Sequence, residues 1–257
     1  MPIHNIAVTG LFQQGKSLTV NCLLGAHASE IGIGIATTRK VGRWRLNHDV
    51  DISDTPGFDS TGENAASDTA EAEAAVSNAD FIVFVVPNQM VDQTTHGLLL
   101  DILHTSFTKK PLALLMNCQA RSNDPSLQDP LSEKNQKTAE TIGSQLRDLR
   151  VLSIDGESPV FTYNPAWYWF GLVAQNKRLV ENLGDNQKEI LRSINQTVSS
   201  YREYYEEREI LAAEFMANSR LGEFKRFLEE QRFIPRQPTK IVAEPIQTGP
   251  PGWGKKK

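Results

Sequence analysis

Cysteine is nearly absent: Cys22 and Cys118 are the only two among 257 residues. That is too few for a disulfide framework, and both read as reduced packing residues. No apolar stretch is long enough to span a bilayer, and the polar N-terminus shows no signal-peptide pattern, so a cytoplasmic location is expected. An excess of one charge is also missing. A formal net charge of −4 argues against bulk polyanion binding, so neither nucleic acid nor a membrane surface is indicated as a partner. There is no Ser-His-Asp set and no cysteine-rich metal signature, and His96 and His104 lack the companions a zinc site needs. Internal repeats are absent.

What the chain does have begins at once. The apolar run Ile6-Ala7-Val8 leads into Gly10-Leu11-Phe12-Gln13-Gln14-Gly15-Lys16-Ser17, the pattern G-x-x-x-x-G-K-[ST] between a strand and a helix-forming segment. Glycines let the backbone wrap a phosphate, successive N–H groups form an anion nest, and the following helix adds its positive dipole end. Gly10, Gln13, Gln14, Gly15, Lys16, Ser17 and Leu18 are therefore candidate phosphate-binding residues. Lys16 has the reach for the outer phosphates, and the Ser17 hydroxyl suits Mg²⁺.

A second motif, Asp54-Thr55-Pro56-Gly57, matches D-x-x-G. Asp54 is expected to hold Mg²⁺ through a coordinated water, and the backbone N–H of Gly57 to meet the γ-phosphate. Between the two motifs lies Thr37-Thr38-Arg39. A threonine in that loop can add its hydroxyl to Mg²⁺ only while the γ-phosphate remains. Lys16, Thr38 and Gly57 are the candidate catalytic groups; Ser17, Thr38 and Asp54 are the candidate metal ligands.

Apolar and polar-periodic runs alternate up to about residue 180. Strands are expected at Ile3–Val8, Lys40–Leu46, Asp49–Ser53, Phe81–Val86, Leu112–Met116 and Pro159–Tyr163. Helices are expected at Lys16–Leu24, Ala65–Ser77, Thr94–His104, Gln136–Leu149 and Ala166–Leu183. The unbroken apolar runs fit central parallel strands covered on both faces, whereas Val50 and Ile52 alternate with polar residues as an edge strand does. This is a doubly wound α/β pattern with ligands at the carboxyl ends of the strands.

Residues 184–233 carry no strand signal. Apolar residues there recur at helical spacing, as one long helix or a hairpin broken near Asn218–Gly222, either packing back on the sheet or forming a partner surface. Residues 234–257, rich in Pro and Gly and ending in three lysines, read as a flexible tail. The division is thus a nucleotide domain at 1–183, a helical extension at 184–233 and a tail at 234–257. Aromatics in Ala166-Trp167-Tyr168-Trp169-Phe170 read as core packing at a helix start.

The ordered motifs G-x-x-x-x-G-K-S, T-T-R and D-T-P-G resemble the translation-factor-related class of P-loop GTPases. Within it they are similar to Era-like members and, through Asp54–Phe58, to septin- and dynamin-like G domains. The resemblance implies a Ras-like, mostly parallel sheet, GTP or GDP as ligand, Mg²⁺ as cofactor, Thr38 as the switch threonine with Thr37 the runner-up, and a molecular switch acting on a protein partner, with the C-terminal helices as the candidate surface.

Departures from that class are equally specific. Phe58 stands where Ras-like enzymes place a water-orienting glutamine, which implies slow intrinsic turnover. Gln13 replaces the asparagine that helps Era-like members bind K⁺, so K⁺ is a weaker expectation than Mg²⁺. Arg39 or Arg43 is a candidate arginine finger, with a solvated arginine the plainer reading. The class reads guanine with N-K-x-D, but here the residues are Asn117-Cys118-Gln119-Ala120. Losing the discriminating carboxylate is expected to weaken guanine preference by several kcal/mol. Asp124 is a candidate replacement, and Asn164 falls in the expected last base-contacting loop. Three readings follow: a weakly hydrolysing GTP switch, a non-hydrolysing nucleotide-gated module, or an ATP-preferring relative.

Overall fold

The computed structural model describes residues 5–32, 38, 40–58, 65–88, 111–118, 129–148, 160–176, 178–181, 183–190 and 208–230. In chain order the elements are β1 (Asn5–Gly10), α1 (Lys16–Leu24), β2 (Gly42–Arg45), β3 (Asp51–Asp54), α2 (Ala65–Asn78), β4 (Phe81–Pro87) and β5 (Leu112–Asn117). Then come α3 (Glu133–Asp148), β6 (Val160–Tyr163), α4 (Pro165–Gln175), α5 (Arg178–Glu181), α6 (Arg208–Asn218) and α7 (Leu221–Glu230). The expected helix at Thr94–His104 and the tail at 234–257 lie outside the described residues.

The six strands form one sheet in the order β2-β3-β1-β4-β5-β6. All pairings are parallel except β2 with β3. Because strand side chains alternate between faces, one apolar run supplies two cores. Phe81, Val83 and Val85 of β4 join α1, α4 and α7 on one face. Ile82, Phe84 and Val86 join residues of α2 and α3, including Val76, Ala139 and Ile142, on the other. Both faces are covered, which is why β4 and β5 read as unbroken hydrophobic runs.

The expected edge strand is corrected. The Asp49–Ser53 segment becomes β3, which lies inside the sheet between β1 and β2; β2 is the edge. The polar residues that gave β3 its alternation have local partners or functional work. Asp51 pairs with Arg45 across the hairpin at 3.1 Å, and Asp54 is buried at the site. Asn47 closes the hairpin turn, its Oδ1 accepting from the N–H groups of Asp49 and Val50. The expected helix Ala166–Leu183 divides into α4 and α5 at Asn176, whose backbone leaves helical geometry at φ −139°.

The C-terminal helices belong to the core. Leu221, Phe224 and Leu228 of α7 are fully buried. Phe161 of β6 meets Phe224 and Phe227 at ring-centroid distances of 5.3 and 5.1 Å. Phe215 of α6 packs edge-on against Trp167 and Phe170 at 5.1 and 5.7 Å. The aromatic opening of α4 is thus packing surface. The two helices cross closely at Gly171, where an added Cβ would lie 2.7 Å from Met216 Cβ. Among the described residues, no helix is long and apolar enough to cross a membrane.

Candidate functional site

The loop between β1 and α1 sits at the carboxyl end of the sheet, where β1, β3 and β4 end side by side. Gln13 and Gly15 adopt left-handed backbone conformations, φ 57° and 85°, and the chain turns tightly into α1. Gly15 precedes the helix without any side-chain cap, and the first intrahelical bond runs from Thr19 N to Gly15 O. The N–H groups of Lys16, Ser17 and Leu18 therefore have no acceptor within the helix. They are the expected anion donors. Leu18 can take part only through its backbone, because its side chain is buried in the core. Lys16 is itself buried, with Nζ donating to Leu11 O at 2.6 Å, which holds the ammonium against the loop.

Asp54 ends β3 beside this loop and is fully buried. Three hydroxyls converge on one of its oxygens. Ser17 Oγ donates to Oδ2 at 2.6 Å, Ser29 Oγ at 2.5 Å and Thr38 Oγ1 at 3.4 Å. Ser17 and Thr38 are also 3.2 Å apart. The other oxygen, Oδ1, is buried with no hydrogen-bond partner among the described residues. Burial pushes the Asp54 carboxyl above its ordinary range, opposed by the hydroxyls of Ser17 and Ser29, the Lys16 charge and Thr38.

This group fits Mg²⁺. The donors are hard oxygens from one carboxylate and two hydroxyls, gathered at a point, and a buried carboxylate oxygen awaits a partner. The structure thereby brings together Ser17, Thr38 and Asp54, while Thr37 lies outside the described residues. Ser29 has no place in the recognised motifs, and nothing in its local sequence marks it.

Gly57 lies directly on the phosphate loop. A Cβ there would fall 2.7 Å from both the N and Cα of Phe12, so only glycine allows this approach. Phe58 packs against the core face formed with α2 and α3, and its carbonyl accepts from Thr69 Oγ1 at 3.2 Å. Its apolar ring has no group that can orient or deprotonate water.

Toward β5 and β6 the expected base-reading residues do other work. Asn117 Nδ2 donates to Gln14 O at 2.8 Å, tying the end of β5 to the phosphate loop. A Cβ on Gly15 would meet this same Nδ2 at 2.6 Å. Asn164 is 1% exposed. Its Oδ1 accepts from the N–H groups of Ala166 and Trp167, the geometry of a helix N-cap. Its own N–H donates to Ser219 O in the turn between α6 and α7, at 2.9 Å. Gln119, Ala120, Asp124 and Arg39 lie outside the described residues. Arg43 lies on β2 in register with Ser53. Cys22 and Cys118 are buried free thiols that burial pushes above the ordinary thiol range, so neither is a reactive nucleophile.

The family described as 50S ribosome-binding GTPase matches residues 5–118. Residues 5–118 are thus similar to a P-loop GTPase domain. The match ends at Cys118, within the stretch Asn117-Cys118-Gln119-Ala120. The chain is 32% identical over 124 residues to GTPase Der of Bifidobacterium longum, covering 45% of the chain and 26% of that relative. It thus spans about a quarter of the relative's length. Among solved structures, Aquifex aeolicus Era bound to GDP and AlF4⁻ is 18% identical with a TM-score of 0.49, covering 64% of this chain and 52% of that one. Arabidopsis thaliana Toc33 with Mg²⁺ and GMPPNP is 16% identical with a TM-score of 0.46, covering 78% and 86%.

Proposed function

We propose that this GTPase domain is a GTP- and GDP-binding switch that hydrolyses GTP slowly and thereby controls a protein interaction. The observation that carries the reading is the meeting of Ser17, Thr38 and Asp54 within one hydrogen-bonded cluster beside Gly57. Those groups come from the phosphate loop, the loop before β2 and the end of β3, the three places a γ-phosphate sensor must join. The domain match to a GTPase family supports the same nucleotide class.

The residues divide the work by their chemistry. Lys16 leaves Leu11 O for the phosphate oxygens, exchanging a neutral acceptor for a charged one, which forms the stronger hydrogen bond. The first N–H groups of α1 hold the phosphate chain and favour charge that develops on it. Gly57 brings a backbone N–H against the γ-phosphate. Ser17, Thr38 and Asp54 would hold Mg²⁺, which would supply neutralisation of phosphate charge. Thr38 is the moving part: it stays only while the γ-phosphate helps to hold its loop. Phe58 offers the attacking water no hydrogen-bonding group at its own position, so turnover is slow.

A fluorescent GDP analogue titrated against wild type and Lys16→Ala tests this reading. The expected result is Mg²⁺-dependent binding that weakens at least about 100-fold, as charge-assisted phosphate contacts of several kcal/mol are lost. Unchanged binding by Lys16→Ala would overturn it.

A further inference from the structure

Asn21 and Ser29 form a buried pair that none of the nucleotide motifs includes. Asn21 lies on α1 one helical turn after Ser17 and is fully buried. Its Oδ1 accepts from the N–H groups of Ala28 and Ser29 at 2.9 and 2.7 Å, and its Nδ2 donates to Ser29 O at 2.9 Å. Three hydrogen bonds from one amide thus fix the backbone of residues 28 and 29. The Ser29 side chain, 4% exposed, then delivers its hydroxyl to Asp54 Oδ2 at 2.5 Å.

We propose that Ser29 is a positioning residue of the magnesium site: clamped by Asn21, its hydroxyl holds the Asp54 carboxylate in place while the other partners of that carboxylate change. The inference rests on the nucleotide-switch reading above. A carboxylate turns readily about its last torsion, so a buried one keeps only the orientation its partners impose. Of the three hydroxyls on Oδ2, Ser17 is a metal ligand and Thr38 belongs to the part that leaves after hydrolysis. Ser29 is neither. Its backbone is bonded to the helix that carries Lys16 and Ser17, so its attachment survives in every nucleotide state.

The experiment measures release of a fluorescent GDP analogue from the full chain across a Mg²⁺ titration and in excess EDTA, for wild type, Ser29→Ala and Ser29→Thr. Outer-shell partners of metal sites typically contribute about 10–100-fold in affinity. Ser29→Ala is expected to raise the Mg²⁺ concentration for half-maximal retention by about that factor while leaving release in EDTA unchanged. Ser29→Thr, which keeps the hydroxyl, is expected to restore retention. A wild-type Mg²⁺ requirement in Ser29→Ala would overturn the proposal and leave the nucleotide reading standing. Equal acceleration in Mg²⁺ and EDTA would also overturn it, because it would mark a merely structural role. If wild type itself retained the nucleotide equally with and without Mg²⁺, the switch reading would fail, and this inference with it.

Discussion

The phosphate end of the site and its base end are built in opposite ways. At the proposed phosphate end, the side chains of Ser17, Ser29 and Thr38 meet one another around Asp54. At the base end, the polar side chains serve the scaffold. Asn117 holds the phosphate loop through Gln14 O, Asn164 caps α4, and the turn at Ser219 closes over the Asn164 backbone from 55 residues further along the chain. Phosphate recognition is a local backbone geometry that a short motif can carry whole, whereas the base end depends on how distant helices pack.

The largest expected effect strikes that packing. Phe224 is fully buried, meets Phe161 edge-on and stacks on Phe227, in the same core as Phe81 and Trp169. Phe224→Ala should cost about 3–5 kcal/mol of stability, read as a lowered denaturant midpoint. A loss below about 1 kcal/mol would show that α7 is an attachment and that the base end does not lean on it.

Next comes the phosphate end, through the buried charge of Asp54. Burial raises its folded-state pKa above the ordinary 3.8, so in nucleotide-free protein the folded carboxyl keeps its proton to higher pH than the unfolded one. Its contribution is therefore most favourable below the unfolded value and declines as pH rises through the raised folded value. Denaturant titrations in EDTA across a pH series should show wild type losing more stability than Asp54→Asn as pH rises. The same variant should lose Mg²⁺-dependent nucleotide retention. Parallel pH profiles for the two proteins would refute the assignment of a buried, metal-awaiting carboxylate.

Much of the architecture was legible because its cause is local. Phe81–Val86 and Leu112–Met116 are apolar throughout because both faces of β4 and β5 meet a core. The alternation at 49–53 does not mark an edge for a physical reason: a polar residue inside a sheet can be satisfied by a hairpin partner, as Asp51 is by Arg45. The break in the C-terminal helices was expected near Asn218–Gly222. It falls at Ser219 and Arg220, with Arg220 in the left-handed region at φ 58°, while Gly222 lies inside α7. Arg220 paired with Glu223 and Ser219 Oγ bonded to Met216 O close that turn. Ser29 was invisible because its role comes from a loop returning to α1, and Asn21, which sets it, looks like any polar helix residue.

The smallest effect asks the sharpest question, whether Asn164 reads the base or only shapes the loop. An N-cap contributes about 1 kcal/mol, and serine replaces asparagine in it almost fully. Asn164→Ala should therefore lower stability by about that amount, and Asn164→Ser should recover it. Competition of GTP and ATP for the bound fluorescent nucleotide then separates the two roles. With its Oδ1 committed to Ala166 and Trp167, Asn164 is expected to act through the loop, so Asn164→Ser should keep the wild-type ratio of GTP to ATP affinity. A serine variant with restored stability and an altered ratio would assign the Asn164 amide a direct contact with the base. It would then give the base end a reader of its own, as proposed for Lys16 and Gly57 at the phosphate end.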